Sequence, residues 1–451
     1  MTKKNIAFAT LGCAKNTVYT EYMMGLVEKS SFALVEDFEE AHVIVINTCG
    51  FITAAKEETI NTILELSEYK ENGKCEYLVA LGCMVQKYAS ELEEALPEID
   101  LLLGSTNYDN LLEEIQNLYR NNQITDSRSL VDNKWHLLKK DGYSKRVLTT
   151  PSYYAYLTIS EGCNNHCTFC AIPEMQGPYR SRQIEDILLE AEQLAAQGVK
   201  ELIIIAQDIT YYGKDIYGEF ALAKLLKLLC NIEGFLWIRL LYAYPNNFSD
   251  DIIDIMAKED KICNYIDIPL QHADDKILKS MNRQITQEEI EKLILKLRSK
   301  IPGIVIRSTF IVGFPGETDS EYNNLLDFLQ KMKLDRVGVF PYSQEENTPA
   351  GIMPNQVEDR IKEKRAQELM EIQYNIMFDI HKSFINCERL VLIDEVDEDN
   401  GILLCRSYSE SPDIDPYIVV EYDPNQKFVV GQSLIVKIID VNQYDLVGRI
   451  I

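Results

Sequence analysis

No apolar run in the 451-residue chain approaches the roughly 18 residues that a membrane-spanning helix needs, which excludes a helical membrane protein. The start, Met1-Thr2-Lys3-Lys4 and a short apolar stretch, lacks the long hydrophobic region and small-residue cleavage site of a signal peptide. The expected location is therefore cytoplasmic, with no membrane partner. Positive charge is also in short supply: 45 Lys and Arg stand against 71 Asp and Glu, a net charge of −26. An acidic surface repels phosphate backbones, so direct RNA binding is not expected to dominate and a basic protein is the more natural partner. Fixed-period repeats and low-complexity tracts are missing too. What remains is an ordinary globular composition, 46% hydrophobic and 26% charged, long enough for about three domains.

Along the first 130 residues, short and partly β-branched apolar runs at 6–11, 43–46, 77–81 and 99–103 alternate with stretches of helical period such as 53–69 and 108–119. That alternation predicts a parallel sheet with helices packed on it. A polar stretch over 121–145 reads as a linker. Candidate strands then recur at 154–159, 201–206, 236–241, 265–270, 305–312 and 336–340, with helical patterns such as 185–197, 287–299 and 320–332 between them and a long helix at 357–382. Six strand–helix units are too few for an eight-fold barrel, so an open, partial (β/α)6 barrel is expected. The last 70 residues hold five strand-like runs, 389–394, 402–408, 417–421, 433–439 and 446–451, with no room for helices between them. A small C-terminal antiparallel β-barrel fits that pattern. The expected fold class is thus α/β, divided into an N-terminal parallel-sheet domain (1–130), a linker (131–150), the partial barrel (151–381) and the small β-barrel (382–451).

Eleven cysteines in a chain expected to sit in a reducing compartment argue for metal-binding or catalytic thiols rather than disulfides. The densest group is Cys163-Asn164-Asn165-His166-Cys167-Thr168-Phe169-Cys170. Three thiolates in one tight loop suit an iron–sulfur cluster, and three ligands for a four-iron cluster leave one iron open to a second molecule. Zinc is the alternative metal, but no fourth Cys or His stands at finger spacing, and His166, adjacent to Cys167, is badly placed to reach the same ion. A second set is scattered: Cys13, Cys49 and Cys83 each follow directly on a candidate strand. The carboxyl ends of parallel strands lie along one edge of a sheet, so these three should converge. The fourth strand ends in Gly104-Ser105, which again leaves three thiolates and no fourth ligand. Cys75, Cys230, Cys263, Cys387 and Cys405 share no such spacing and read as small hydrophobes. Weaker signals are Gly313 and the pair Gln271-His272, which close two barrel strands at the end where such barrels place chemistry.

The loop around Cys163, Cys167 and Cys170, running from Ser160 to Pro173, resembles the radical S-adenosylmethionine (SAM) signature. Leu11-Gly12-Cys13, Asn47-Thr48-Cys49-Gly50 and Leu81-Gly82-Cys83 resemble the N-terminal domain of the methylthiotransferases, and the last 70 residues resemble their TRAM domain. Within that family the likeness is closer to the branch that modifies an aspartate of small-subunit ribosomal protein S twelve than to the branch that modifies tRNA adenosine. It is carried by Asn47-Thr48-Cys49-Gly50-Phe51-Ile52, Ser160-Glu161-Gly162-Cys163, Tyr244-Pro245 and Ser409-Glu410-Ser411-Pro412-Asp413-Ile414-Asp415. A tRNA-gripping barrel would be basic, whereas residues 382–451 hold 6 basic and 13 acidic side chains, a net −7.

The resemblance implies two [4Fe–4S] clusters and SAM as cofactors. Cys163, Cys167 and Cys170 would hold the cluster whose open iron binds SAM; Cys13, Cys49 and Cys83 would hold an auxiliary cluster carrying the sulfur to be donated. It implies one-electron cleavage of SAM to a 5′-deoxyadenosyl radical, hydrogen abstraction from the aspartate β-carbon, and a second SAM as methyl donor. It further implies a low-potential electron donor such as flavodoxin or ferredoxin, and places Phe169, Gln271 and Gly313 near SAM. No catalytic residue beyond the cluster ligands is implied. Two sets of three ligands also favour an enzyme over an electron carrier, which usually completes each cluster with four. Two residues depart from the family pattern, Ala14 in place of Pro and Gln176 in place of Arg before Gly177, and neither is expected to touch a ligand.

Overall fold

The computed structural model describes residues 3–121, 128–138, 143, 146–423 and 425–451. Its first body is an all-parallel sheet of order β2-β1-β3-β4-β5-β6, built from β1 (Asn5–Thr10), β2 (Ala33–Leu34), β3 (Val43–Thr48), β4 (Tyr77–Gly82), β5 (Leu101–Gly104) and β6 (Ser129–Leu130). β3 is buried along its whole length, as a central strand covered by helices on both faces must be, and its Val-Ile-Val-Ile run meets that demand. The edge strands β2 and β6 have two residues each, too few to leave a hydrophobic signature.

The stretch expected to be a linker is mostly exposed or half-exposed where it is described, but it sends isolated anchors into the core. β6 falls within it, Leu138 and Tyr143 are buried, and the buried Arg146 guanidinium pairs with Glu21 at 3.0 Å and Glu190 at 2.7 Å. Its polar composition hid this because the buried anchors are isolated in sequence. Residues 122–127, 139–142 and 144–145 of that stretch lie outside the described residues.

The second body contains β7 (Tyr154–Thr158), a short hairpin of β8 (Ser160–Glu161) and β9 (Arg180–Ser181), then β10 (Glu201–Ile205), β11 (Trp237–Leu240), β12 (Ile262–Asp267), β13 (Val305–Val312) and β14 (Arg336–Pro341). β7 and β10 to β14 form one open parallel sheet in unbroken chain order, the six units expected from the sequence. The 25-residue helix Asp359–Ser383 then leads to β15 (Glu388–Asp397), β16 (Ile402–Arg406), β17 (Ile418–Glu421), β18 (Ser433–Asn442) and β19 (Asp445–Ile450), which close into a barrel of order β15-β16-β17-β19-β18. All its pairs are antiparallel except β17 with β19, which run parallel. An odd number of strands cannot alternate in direction all the way round a closed barrel, so the expected antiparallel pattern must break at one seam.

This barrel docks on the amino-terminal ends of the central strands. Glu201, the first residue of β10, is buried between Arg239 at 2.6 Å and Arg406 at 2.8 Å, and the Tyr265 hydroxyl donates to Asp415 at 2.6 Å. Charges so deep are tolerated because each is paired; removing one partner typically costs about 3–5 kcal/mol. The opposite, carboxyl ends of the central strands face the first body. There the Thr53 N–H donates to Glu345 at 3.0 Å, Lys56 pairs with Glu345 at 2.7 Å, and the Ser105 hydroxyl donates to the Met175 carbonyl at 2.5 Å. Among the described residues no helix is long and apolar enough to cross a membrane.

Candidate active site

The scattered cysteines come to one end of the sheet because β1, β3 and β4 are adjacent and end level with one another. Buried amides pin the ends together: Asn16 Nδ2 donates to the carbonyls of Leu11 at 2.7 Å and Thr48 at 3.1 Å, and Asn47 Nδ2 donates to the Asn16 carbonyl at 3.0 Å. Gly12 (φ +91°) lets the chain turn tightly against its neighbour, since a Cβ there would lie 2.7 Å from Cys49 Cβ and 2.8 Å from Cys49 Sγ. Cys13 precedes the helix Ala14–Glu28 and Cys83 opens the helix Cys83–Ala95, so both thiols sit at helix amino termini, where the backbone dipole favours negative charge.

The second set is held by its own loop. The Cys163 N–H donates to the Gly177 carbonyl at 3.1 Å, the Cys170 N–H donates to the Cys167 carbonyl at 3.0 Å, and Asn165 Nδ2 reaches Asp208 at 2.9 Å. Gly162 (φ +72°) passes so near the 177–178 backbone that a Cβ would lie 2.1 Å from the Pro178 oxygen. Arg283 stacks 4.1 Å from the Tyr244 ring centre and brings Nη1 to 3.7 Å from Cys167 Sγ.

All six cysteines, Cys13, Cys49, Cys83, Cys163, Cys167 and Cys170, line one cavity of about 470 Å³ between the two bodies. Phe169 and Gln271 line it as well. Gly313 does not: it follows β13, donates its N–H to Glu317 at 2.9 Å, and a Cβ there would lie 2.2 Å from Lys362 Cγ. His166 is exposed and outside the lining. His272 is fully buried, accepts from the Asp274 N–H at 2.9 Å and lies 3.3 Å from Glu317, which makes it a core histidine. Of the other cysteines, Cys75, Cys230, Cys263 and Cys405 are buried as expected, whereas Cys387 is exposed at the start of the small barrel.

Several lining residues escaped sequence reasoning. Lys15 is 8% exposed, with Nζ 3.3 Å from the Ala206 carbonyl and 4.3 Å from the Tyr242 ring centre. Its place two residues after Cys13 was the available signal. Gln176 corrects an expectation, because its Nε2 lies 3.1 Å from Cys83 Sγ, tying the loop of the second body to a thiol of the first. Tyr242 and Gln271 hold left-handed backbone conformations (φ 63° and 74°), strain of the kind that gathers at functional sites.

The donor set decides which inorganic group fits. The lining holds six thiols and, among the described residues, no histidine. No three His, Cys, Asp or Glu side chains among those residues converge on a single metal-ion position. A tetrahedral zinc, at 2.3 Å from each sulfur, would draw the sulfurs to about 3.8 Å of one another. Thiols spread more widely suit a cluster in which each iron takes one of them. Burial pushes the Cys83 and Cys170 thiols up to about 12 and Cys163 up to about 11, and bound iron would displace those protons.

Comparison with known families agrees with this construction. The profile of the Radical SAM superfamily matches residues 157–329, that of Uncharacterized protein family UPF0004 residues 5–104, and that of the TRAM domain residues 387–451. The ribosomal protein uS12 methylthiotransferase RimO of Acetivibrio thermocellus is 44% identical over 450 residues, covering 100% of this chain and 99% of that one. The protein of the same name from Desulforamulus reducens is 45% identical over 99% of each. Among solved structures, the radical SAM methyltransferase TsrM from Kitasatospora setae aligns over 78% of this chain and 77% of its own, with a TM-score of 0.55 at 15% identity. The cobalamin-dependent radical SAM enzyme OxsB covers 83% of this chain and 58% of its own, with a TM-score of 0.54 at 14% identity. Those two likenesses are of fold alone.

Fold and site thus define a radical SAM enzyme of the methylthiotransferase class, which works with SAM and an iron–sulfur cluster. Within that class the chain belongs to the RimO family of ribosomal protein uS12 methylthiotransferases.

Proposed function

We propose that the protein methylthiolates the β-carbon of an aspartate in small-subunit ribosomal protein S twelve, using two [4Fe–4S] clusters and two molecules of SAM. The observation that carries this reading is the single cavity lined by two sets of three cysteines, one from each body. Cys163, Cys167 and Cys170 would hold the cluster that meets SAM, and Cys13, Cys49 and Cys83 the auxiliary cluster. When bound, these groups supply the electron transfer and the sulfur that no side chain can provide. The chain's own part is to ligate, orient and exclude water. Phe169 and Gln271 form wall where SAM would sit, and Tyr19, Tyr242 and Tyr244 keep the reacting space apolar; Gly313 would act from the turn after β13, outside the lining. Because both cysteine sets line the same cavity, one substrate carbon in it would have access to both centres.

The net charge of −26 favours a basic ribosomal protein over RNA, and a flavodoxin or ferredoxin in the cytoplasm would supply the electron. The test offers the anaerobically reconstituted enzyme, SAM and a reductant the ribosomal protein and bulk tRNA side by side. Mass spectrometry is expected to find the methylthio group on the aspartate; its appearance only on a tRNA adenosine would overturn the substrate.

A further inference from the structure

Two cations line the cavity, and their circumstances differ. Arg283 is engaged on three sides, by Cys167 Sγ, the Pro269 carbonyl and the Tyr244 ring. Lys15 reaches one carbonyl, at 3.3 Å, and one aromatic face, and no carboxylate among the described residues lies within ion-pair reach of its ammonium. An ammonium carries three N–H donors, so most of its capacity is unspent although the side chain is only 8% exposed. A buried cation is normally paired; Lys15 acts on the thiols of Cys49, Cys83 and Cys163 across the cavity but has no carboxylate partner among the described residues, which leaves it able to take an anion inside. Its position fits that role: it leaves the first body beside Cys13 and ends at Ala206, just beyond β10 of the second, where both cysteine sets face the cavity.

The substrate in the proposed function brings such an anion. The β-carbon of an aspartate is bonded directly to its carboxylate carbon, so the charge must enter wherever the reacting carbon goes. The walls it would meet, Tyr19, Phe51, Ile52, Phe169 and Tyr242, offer no other uncommitted cation. We propose that Lys15 binds the side-chain carboxylate of the target aspartate and thereby places its β-carbon between the two cysteine sets. This rests on the substrate reading above and adds a specificity determinant to it, since an adenine base has no negative charge to offer Lys15.

The test is equilibrium binding to the reconstituted holoenzyme without reductant, so that no turnover occurs, using the ribosomal protein with its target aspartate intact or changed to asparagine. Hydrogen bonds to charged groups are strong enough that wild-type protein should prefer the aspartate form by at least about tenfold. Lys15→Met is expected to abolish that preference while holding the asparagine form as wild type does, and Lys15→Arg to retain it. Lys15→Gln, which keeps a donor for the Ala206 carbonyl but no charge, is the second variant should the methionine protein not fold. Equal binding of the two forms by wild type, or a preference that survives in Lys15→Met or Lys15→Gln, would overturn the inference. Failure of wild type to bind or modify the ribosomal protein in either form overturns the substrate reading instead, and the inference with it. A purely structural lysine would not change the discrimination between two substrates that differ by one ionisable group.

Discussion

The two cysteine sets, each proposed to hold a cluster, reach the cavity by different structural means. Cys163, Cys167 and Cys170 lie within eight residues and are held by the backbone of their own loop. Cys13, Cys49 and Cys83 are far apart in sequence; they share one end of the sheet because three parallel strands end level and Asn16 and Asn47 bind those ends together. A loop motif can be carried from fold to fold, whereas the second arrangement exists only while its sheet is intact. The two should therefore fail in different ways.

Removing a thiol gives the largest contrast. Cys163→Ala is expected to bring 5′-deoxyadenosine formation to background and to lower bound iron by about half, measured by chromatography and iron assay. Cys49→Ala is expected to lower iron similarly and to abolish methylthio transfer while deoxyadenosine still forms. If both variants lose SAM cleavage alike, the division of labour between the sets is wrong. A gentler break alters the backbone and keeps every thiol. Gly12→Ala would drive a Cβ to 2.7 Å from Cys49 Cβ at φ +91°, adding roughly 1–2 kcal/mol of left-handed strain to the displacement of a ligand. The auxiliary cluster should be lost selectively. Gly162→Ala meets a backbone oxygen at 2.1 Å, which has less freedom to move, and the SAM-binding cluster should be lost more completely. Mössbauer spectra of the two variants separate these outcomes.

The same contrast explains what the sequence revealed. The loop set was visible as a spacing. The sheet set was visible once strand ends were read as a shared edge, because β1, β3 and β4 each carry enough Val, Ile, Leu and Ala to announce themselves. Two-residue strands such as β2 and β6 leave no such trace, and Leu138, Tyr143 and Arg146 are single anchors in a polar stretch. Lys15 escaped notice and Gln176 was expected to touch no ligand because their contacts cross between bodies, to Ala206 and to Cys83, and no local pattern encodes a contact of that kind.

Gln176 is also where the two sets can be coupled or uncoupled. Its amide donates to Cys83 Sγ at 3.1 Å, and a donor to a cluster sulfur stabilises the more electron-rich reduced state. Gln176→Ala is expected to lower the potential of the auxiliary cluster and leave that of the other unchanged, as read by an EPR-monitored redox titration. Gln176→Arg, adding a positive charge at the same place, should raise it. Equal shifts in both clusters would show that the substitution acts through the fold rather than through Cys83.

The smallest effect compares one thiol from each set before any iron is bound. Cys83 and Cys163 are both half-buried, and burial raises both thiols, to about 12 and about 11 respectively. At pH 8 both are neutral, and the reactive thiolate fraction of each grows tenfold for every unit of rising pH. Cys163, the less strongly raised of the two, holds the larger thiolate fraction at a given pH, but a less basic thiolate is also a weaker nucleophile. The net expectation is that iodoacetamide alkylates Cys163 faster than Cys83 in iron-free protein, followed by peptide mass spectrometry between pH 7.5 and 9.5. Reconstitution should protect both if each binds iron. Protection of Cys163 alone would mean that the sheet-built set does not hold a cluster, and the two regions would then differ in chemistry as well as in construction.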